Sequence, residues 1–127
     1  MRVLGIDYGK KRVGIALSDE SGKFALPKAV LPASPSLADE IEKLAKQSEV
    51  KTIVIGESLD YGGRPNPLIQ DVDVLIRILE DKGFDVVLEE EYGSTVEAER
   101  FQGKNEMSDA SAAAIILQRF LDKKKPL

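Results

Sequence analysis

The order of the strand-like and helix-like segments constrains the fold of this chain more than any other feature. Three short apolar segments come first, separated by the turn signals "YGKK" and "DESGK". Such spacing predicts an antiparallel three-stranded meander. From Ser36 onward, segments with helical periodicity alternate with short apolar runs, a pattern typical of parallel strands joined by helices. The chain is therefore predicted to be an α/β protein with a mixed sheet.

Five segments have the composition of strands. The third contains prolines, which cannot donate backbone hydrogen bonds and suit an edge strand. The fourth is a continuous apolar run of the kind buried in parallel sheets. The five predicted strands are "RVLGIDYG", "RVGIALSD", "KFALPKAVLP", "KTIVIG" and "FDVVLEEE".

Four further segments are predicted to be helices, each with a recognisable start or stop signal. They are a helix capped by Ser36, a helix over about 67–82 that Gly83 ends, a helix that starts with the capping box Ser94–Glu97, and a last helix, "MSDASAAAIILQRFL", capped by Ser108. The resulting order, βββαβαβαα, is similar to that of the ribonuclease H-like fold, with a mixed five-stranded sheet and helices on both faces. We expect a single domain over 1–127 that ends in a frayed basic tail over 122–127.

The composition limits the available chemistry. The 127 residues include no cysteine and no histidine, which excludes Ser-His-Asp catalysis, thiolate metal sites and almost every catalytic zinc site. Chemistry must rely on carboxylates, hydroxyls, Lys, Arg or a hard cation bound by oxygen ligands. The 18 basic and 22 acidic residues give a net charge of −4, so a nucleic-acid partner would need a local basic patch or bridging cations.

The chain also lacks the marks of a membrane or exported protein. The N-terminal "MRVLGID" has no long apolar region, and no apolar run reaches membrane-spanning length. We expect a cytoplasmic protein without membrane contact.

Three acids fall where the predicted strands end at their carboxyl edge, the place where ligands gather in such sheets. Asp7 ends the first strand, Glu91 ends "VVLEEE", and Asp109 lies in the first turn of the last helix. Converging carboxylates repel one another unless a cation lies between them, and ligands that are all oxygen point to Mg²⁺ or Mn²⁺. Each acid alone has an ordinary explanation as a turn, solvated or helix-start residue. We expect Glu89 and Glu90 to be solvated.

Three motifs in the same order resemble the YqgF family, relatives of Holliday-junction resolvases that are regarded as nucleases maturing the end of pre-16S ribosomal RNA. The motifs are "GIDYGKKRVGIALS", "EEEYGSTVEAER" and "SDASAAAIILQRFL", with "TIVIG" matching a further strand. The resemblance implies a metal-dependent nuclease whose catalytic and metal-binding acids are Asp7, Glu91 and Asp109. Its implied substrate is a ribosomal RNA precursor or a branched DNA.

Two positions depart from the family pattern. Tyr92 replaces an arginine that could contact a phosphate, and Glu57 follows Gly56 where the family has Gly-Leu-Pro. Glu57 is either a fourth metal ligand or a solvated loop acid, and we favour the second interpretation. The candidate phosphate contacts are basic residues near the acids, namely Lys11, Arg12, Arg64, Arg100 and Lys104.

Other functions remain open at this stage. An actin-like or sugar-kinase ATPase shares the Gly-Ile-Asp-x-Gly hairpin but closes two domains over its nucleotide. A nucleic-acid-binding or ribosome-assembly module could keep the fold without turnover. The sequence does not distinguish RNA from DNA, endo- from exonuclease polarity, or a monomer from a homodimer.

Overall fold

A computed structural model of the chain describes residues 2–57, 69–90 and 106–124. The described elements alternate as the sequence predicts. In chain order they are β1 (Val3–Asp7), β2 (Arg12–Ser18), β3 (Ala25–Pro32), α1 (Leu37–Gln47), β4 (Thr52–Glu57), α2 (Ile69–Asp81), β5 (Asp85–Glu90) and α3 (Glu106–Lys124).

The strands form one mixed sheet in the order β3-β2-β1-β4-β5. β1 pairs antiparallel with β2, and β2 pairs antiparallel with β3, which confirms the predicted meander. β1 and β4 are parallel, as are β4 and β5. The proline-containing β3 lies at the sheet edge, where its missing N–H groups cost no ladder hydrogen bond.

Helices cover both faces of the sheet, as predicted. On one face, Leu4, Ile6 and Ile55 pack with α1 and α2 residues such as Ile41 and Leu79. On the other face, Ala16, Val54 and Val87 pack against α3. Alternate residues of each strand point to opposite faces, so β1 gives Leu4 and Ile6 to the α1–α2 face and leaves Gly5 against α3.

The ends of two helices match the predictions only in part. Ser36 occupies the N-cap position of α1, but its hydroxyl makes no capping hydrogen bond and instead lies 3.4 Å from a carboxylate oxygen of Glu40. α2 ends one residue before the expected Lys82, and Gly83 follows with a φ of 100°, a conformation that favours glycine.

The last helix is longer than predicted at both ends. α3 begins at Glu106, so Ser108 is its third residue rather than its N-cap. It continues to Lys124, so the expected tail over 122–127 is helical in its first three residues. The helix predicted at the capping box Ser94–Glu97 lies outside the described residues.

Within the parts of the chain that the structure describes, no helix has the length and apolar character needed to cross a membrane.

Candidate active site

Three strands end together at one edge of the sheet. β1 ends at the half-buried Asp7, and its parallel neighbours β4 and β5 end at Glu57 and Glu90. Parallel strands present their carboxyl ends at the same edge, so the last residues of β4 and β5 lie beside Asp7. Glu91, the second predicted acid, follows β5 directly but lies outside the described residues.

Gly14 leaves room beside β2 for the backbone of the third predicted acid, Asp109. Asp7 pairs with Gly14 across β1 and β2, and residues directly opposite in an antiparallel pair share a face of the sheet. A Cβ atom at position 14 would collide with the backbone carbonyl of Asp109. Because glycine has no side chain there, α3 rests on β2 and brings the backbone of Asp109 against Gly14, the cross-strand partner of Asp7.

The sequence contains a signal for this contact, although we did not predict it. Gly14 interrupts the apolar run "RVGIAL", and a glycine inside a strand often marks a close approach of another backbone. Gly5 also lets α3 approach the sheet, at a point further along the helix, since a Cβ atom there would lie 2.7 Å from Cβ of Leu117.

Asp109 is held by an ion pair. The Nε atom of Arg12 lies 3.1 Å from Oδ2 of Asp109. That oxygen is buried and has no hydrogen-bond partner among the described residues, so the two charges are close although the N–H of Arg12 is not directed at the oxygen. Buried carboxylate oxygens normally have a partner. Oδ2 therefore has unused capacity to bind a cation or a donor.

The turn between β1 and β2 places Arg12 for this contact. Gly9 lies so close to the backbone carbonyl of Arg12 that a Cβ atom would collide with it. Lys10 and Lys11 occupy the exposed part of the same turn. The short turn thus places basic residues directly after the end of β1, where Asp7 lies.

The described part of the site fits a hard divalent cation but does not complete its ligand set. Asp7 and Asp109 offer only oxygen atoms, which suit Mg²⁺ or Mn²⁺, and Oδ2 of Asp109 lacks a hydrogen bond. No group of three metal-binding side chains occurs within residues 2–57, 69–90 and 106–124. The third predicted ligand, Glu91, is outside them.

The structure corrects the expected environment of Glu89. Its side chain is 6% exposed, and its carboxylate accepts a hydrogen bond from Nζ of Lys123 at 2.6 Å. β5 directs this residue toward α3, since Val87 two residues earlier also packs there. Glu89 is therefore a buried ion-pair partner rather than the solvated acid that we predicted from the run "EEE".

For the remaining candidate site residues, the structure gives only the position of Glu57. Glu57, expected in a loop, is the last residue of β4. The candidate phosphate contacts Arg64, Arg100 and Lys104 lie outside the described residues, as does Tyr92.

Comparison with known proteins identifies similar families and folds. Residues 1–123 match the model of the RuvX family, described as Holliday junction resolvase, the family also called YqgF. Among relatives named as candidate pre-16S rRNA nucleases, one from Bacillus cereus strain AH187 is 34% identical over 140 residues, covering 98% of this chain and 100% of the relative. Another, from Novosphingobium aromaticivorans, is 33% identical over 130 residues, covering 94% of this chain and 84% of the relative.

Solved structures show the same fold at low sequence identity. RuvC of T. thermophilus, in complex with a Holliday junction substrate, has a TM-score of 0.64 and 19% identity, and the match covers 100% of both chains. The Holliday junction resolvase of fowlpox virus has a TM-score of 0.59 and 9% identity over 97% of this chain and 99% of that one. These likenesses confirm the ribonuclease H-like fold class.

Proposed function

Since this chain belongs to the Holliday junction resolvase family RuvX, we propose that it is a divalent-metal-dependent nuclease that matures the 5′ end of pre-16S ribosomal RNA. Nuclease activity follows from the family and from its close relatives. The RNA substrate is supported by the names of those relatives, which cover nearly the whole of this chain.

We assign the metal site to Asp7, Glu91 and Asp109. The observation that carries this assignment is the packing of Asp109 over Gly14, the cross-strand partner of Asp7. Two acids that are 102 positions apart in sequence (109 − 7) are thereby brought to one sheet edge. Val87 and Glu89 face α3. Glu91 follows them at the two-residue spacing of positions that share a strand face, and this supports Glu91 rather than Glu90 as the third ligand.

In this proposal each group has one task. Mg²⁺ or Mn²⁺, when bound, would supply an activated water and charge stabilisation for the leaving oxygen of a phosphodiester. The three carboxylates would hold the cations, whose positive charge offsets that of the acids and allows a phosphate to approach. Lys11 and Arg12 bind phosphates beside the site, which compensates for the net charge of −4.

Branched DNA is the second candidate substrate, because the family is described by its action on Holliday junctions. The same site could hydrolyse either backbone, since the chemistry occurs at a phosphodiester. The direct test is to incubate the purified protein with Mg²⁺ or Mn²⁺ and a 16S precursor RNA, an unstructured RNA or a four-way DNA junction. Preferential cleavage of the precursor supports the proposal. Preferential cleavage of the junction would show that branched DNA, rather than the precursor RNA, is the substrate.

Variants show whether any cleavage arises at this site. Asp7→Asn, Glu91→Gln and Asp109→Asn should each remove nearly all hydrolysis. Asp85→Asn is a matched control, because Asp85 is exposed at the opposite end of β5. Cleavage that survives in all three site variants contradicts the assignment. Absence of cleavage in the wild type, with retained RNA binding, instead indicates a binding module without turnover.

A further inference from the structure

The ion pair between Arg12 and Asp109 involves a carboxylate that the proposed function assigns to a metal ion. Nε of Arg12 lies 3.1 Å from Oδ2 of Asp109, and that oxygen is the buried one without a hydrogen bond among the described residues. A cation that coordinates Oδ2 must come as close as the guanidinium does now. Two cations at one carboxylate oxygen repel each other, so the guanidinium and the metal ion compete for Oδ2.

The contact is also easy to exchange. The side chain of Arg12 is 47% exposed and that of Asp109 is 30% exposed, and ion pairs of this exposure add little to stability. No hydrogen bond joins Nε of Arg12 to Oδ2, because Oδ2 has no hydrogen-bond partner in the described part of the chain. The guanidinium can therefore leave Asp109 at low cost when another cation replaces it at the buried Oδ2.

Arg12 remains at the site after it leaves Asp109. It is the first residue of β2 and follows the exposed Lys10 and Lys11. A guanidinium binds phosphate through two parallel N–H groups, which an ammonium cannot do. The backbone of Arg12 pairs with Pro32 of β3 and its carbonyl lies close to Gly9, so only the side chain needs to move.

We propose that Arg12 is an exchangeable placeholder for the metal ion: it neutralises Asp109 in the metal-free protein and moves to a substrate phosphate when the cation binds. This inference rests on the proposed function, because it assumes that Asp109 is a metal ligand. It assigns to one residue two successive partners, a carboxylate and then a phosphate.

The placeholder has a consequence that a simple phosphate-binding residue does not have. Removing Arg12 should improve metal binding and impair nucleic-acid binding, so the two affinities should change in opposite directions. Arg12→Gln is expected to tighten Mn²⁺ binding by roughly three- to tenfold, the range expected from losing a weak competing ion pair and a nearby like charge. The same variant should bind RNA more weakly.

Lys11→Gln is the matched control. It removes the same charge from the same turn, but among the described residues Lys11 makes no ion pair. If general repulsion between the basic turn and the cation caused the effect, Lys11→Gln would tighten Mn²⁺ binding as much as Arg12→Gln. The placeholder model predicts a much smaller change for Lys11→Gln, with weaker RNA binding in both variants.

The experiment is calorimetric titration of the nucleic-acid-free protein with Mn²⁺ alone, for the wild type, Arg12→Gln, Lys11→Gln and Asp109→Asn. RNA binding is measured separately with Ca²⁺ present, a divalent cation that oxygen ligands also bind. Thermal melts in EDTA establish that each variant is folded. If Arg12→Gln is unfolded, Arg12→Lys replaces it; this variant keeps the charge and should bind Mn²⁺ more tightly than the wild type, by less than the roughly three- to tenfold change expected for Arg12→Gln. Unchanged or weaker Mn²⁺ binding by Arg12→Gln, with loss of binding in Asp109→Asn, overturns the placeholder and leaves the proposed function intact. Equal Mn²⁺ binding by the wild type and Asp109→Asn overturns both.

Discussion

Single residues without reactive groups set the geometry of the proposed site. Gly14 and Gly5 each leave room for α3 where a Cβ atom would meet Asp109 or Leu117. The obstacle at Gly14 is a backbone carbonyl, which cannot rotate away as a flexible side chain can. The position of Asp109 therefore depends on the absence of a side chain on the neighbouring strand.

Replacing Gly14 with alanine tests this dependence. We expect Gly14→Ala to lower the free energy of unfolding by about 1–3 kcal/mol, the usual cost of overpacking a well-packed interface, and to weaken Mn²⁺ binding because Asp109 must shift. Gly5→Ala is the control, since its clash is with Leu117, eight residues (117 − 109) or ~12 Å along the helix from Asp109. It should lose stability in urea denaturation but retain more of its Mn²⁺ affinity. Full Mn²⁺ affinity in Gly14→Ala would show that this contact does not position the acid.

Asp19 is a residue whose charge supports the fold at the end of the molecule opposite the site. Its carboxylate accepts hydrogen bonds from the hydroxyl of Ser21 at 2.7 Å and from the backbone N–H groups of Phe24 at 3.2 Å and Lys23 at 2.9 Å. These bonds, that from Ser21 first, lower the pKa of Asp19 from 3.8 to about 2. The ionised form is thus favoured in the folded state.

The sign of the resulting pH dependence follows from that direction. A lowered carboxyl pKa stabilises the fold at pH values above 3.8, and this contribution is lost as the pH falls through about 2. Asp19→Asn should therefore melt below the wild type at pH 7, and the difference should shrink between pH 4 and pH 2. A difference in melting temperature that is constant over this range would contradict the role of the charge.

At the level of elements, the pair Glu89–Lys123 joins the end of β5 to the end of α3. Glu89 is 6% exposed while Lys123 is 68% exposed, so the carboxylate is the member of the pair that has lost most of its water. A buried charge that loses its partner is costly. The same contact holds the end of β5 directly before the proposed ligand Glu91.

A double-mutant cycle measures this contact. Lys123→Met should lower the free energy of unfolding by about 1–3 kcal/mol because it leaves a buried carboxylate without that donor. The double variant Lys123→Met with Glu89→Gln should be more stable than Lys123→Met alone. Lys46→Met is the control, since its pair with Glu42 is exposed on the lysine side and should contribute less than about 1 kcal/mol. Equal losses for Lys123→Met and Lys46→Met would mean that burial of Glu89 has no energetic effect.

Periodicity predicted the elements well because it reports burial directly. The apolar stripe of α1 and the continuous apolar run of β4 are buried as expected, with Ile41 and Ile53 fully so. Helix ends were less predictable. α1 begins after Ser36 as expected, although the hydroxyl makes no capping hydrogen bond, whereas α3 begins at Glu106, before the expected cap Ser108. Glu89 could not be recognised as buried from "EEE", because its partner Lys123 is 34 residues away and lies in a segment that reads as a charged tail.

For the whole molecule, charge distribution matters more than total charge. The net charge of −4 opposes nucleic-acid binding, yet the turn before β2 presents Lys10, Lys11 and Arg12 at the edge where Asp7 lies. Sequence reasoning located this juxtaposition because the residues are adjacent in the chain. It could not predict that Arg12 contacts Asp109, which depends on how α3 packs.

Salt dependence tests whether this turn carries the substrate. Neutralising Lys11 and Arg12 together should weaken RNA binding and reduce the slope of log affinity against log salt by about 1.4, since each phosphate contact to a single strand contributes about 0.7. Neutralising Lys46 and Lys51, which lie near the opposite end of β4, changes the net charge equally and should leave the slope unchanged. An unchanged slope in the first variant would direct attention to Arg64, Arg100 and Lys104.

The most direct test of the central claim, that Asp7 is a ligand of a metal site at the end of β1, is a set of thermal melts in EDTA and in millimolar Mn²⁺. Metal that binds the folded state stabilises it by mass action, by about 2.7 kcal/mol at a concentration 100 times the Kd. Mn²⁺ should therefore raise the melting temperature of the wild type and of the control Asp85→Asn, and should raise that of Asp7→Asn far less. A shift of equal size in the wild type and Asp7→Asn would contradict the claim.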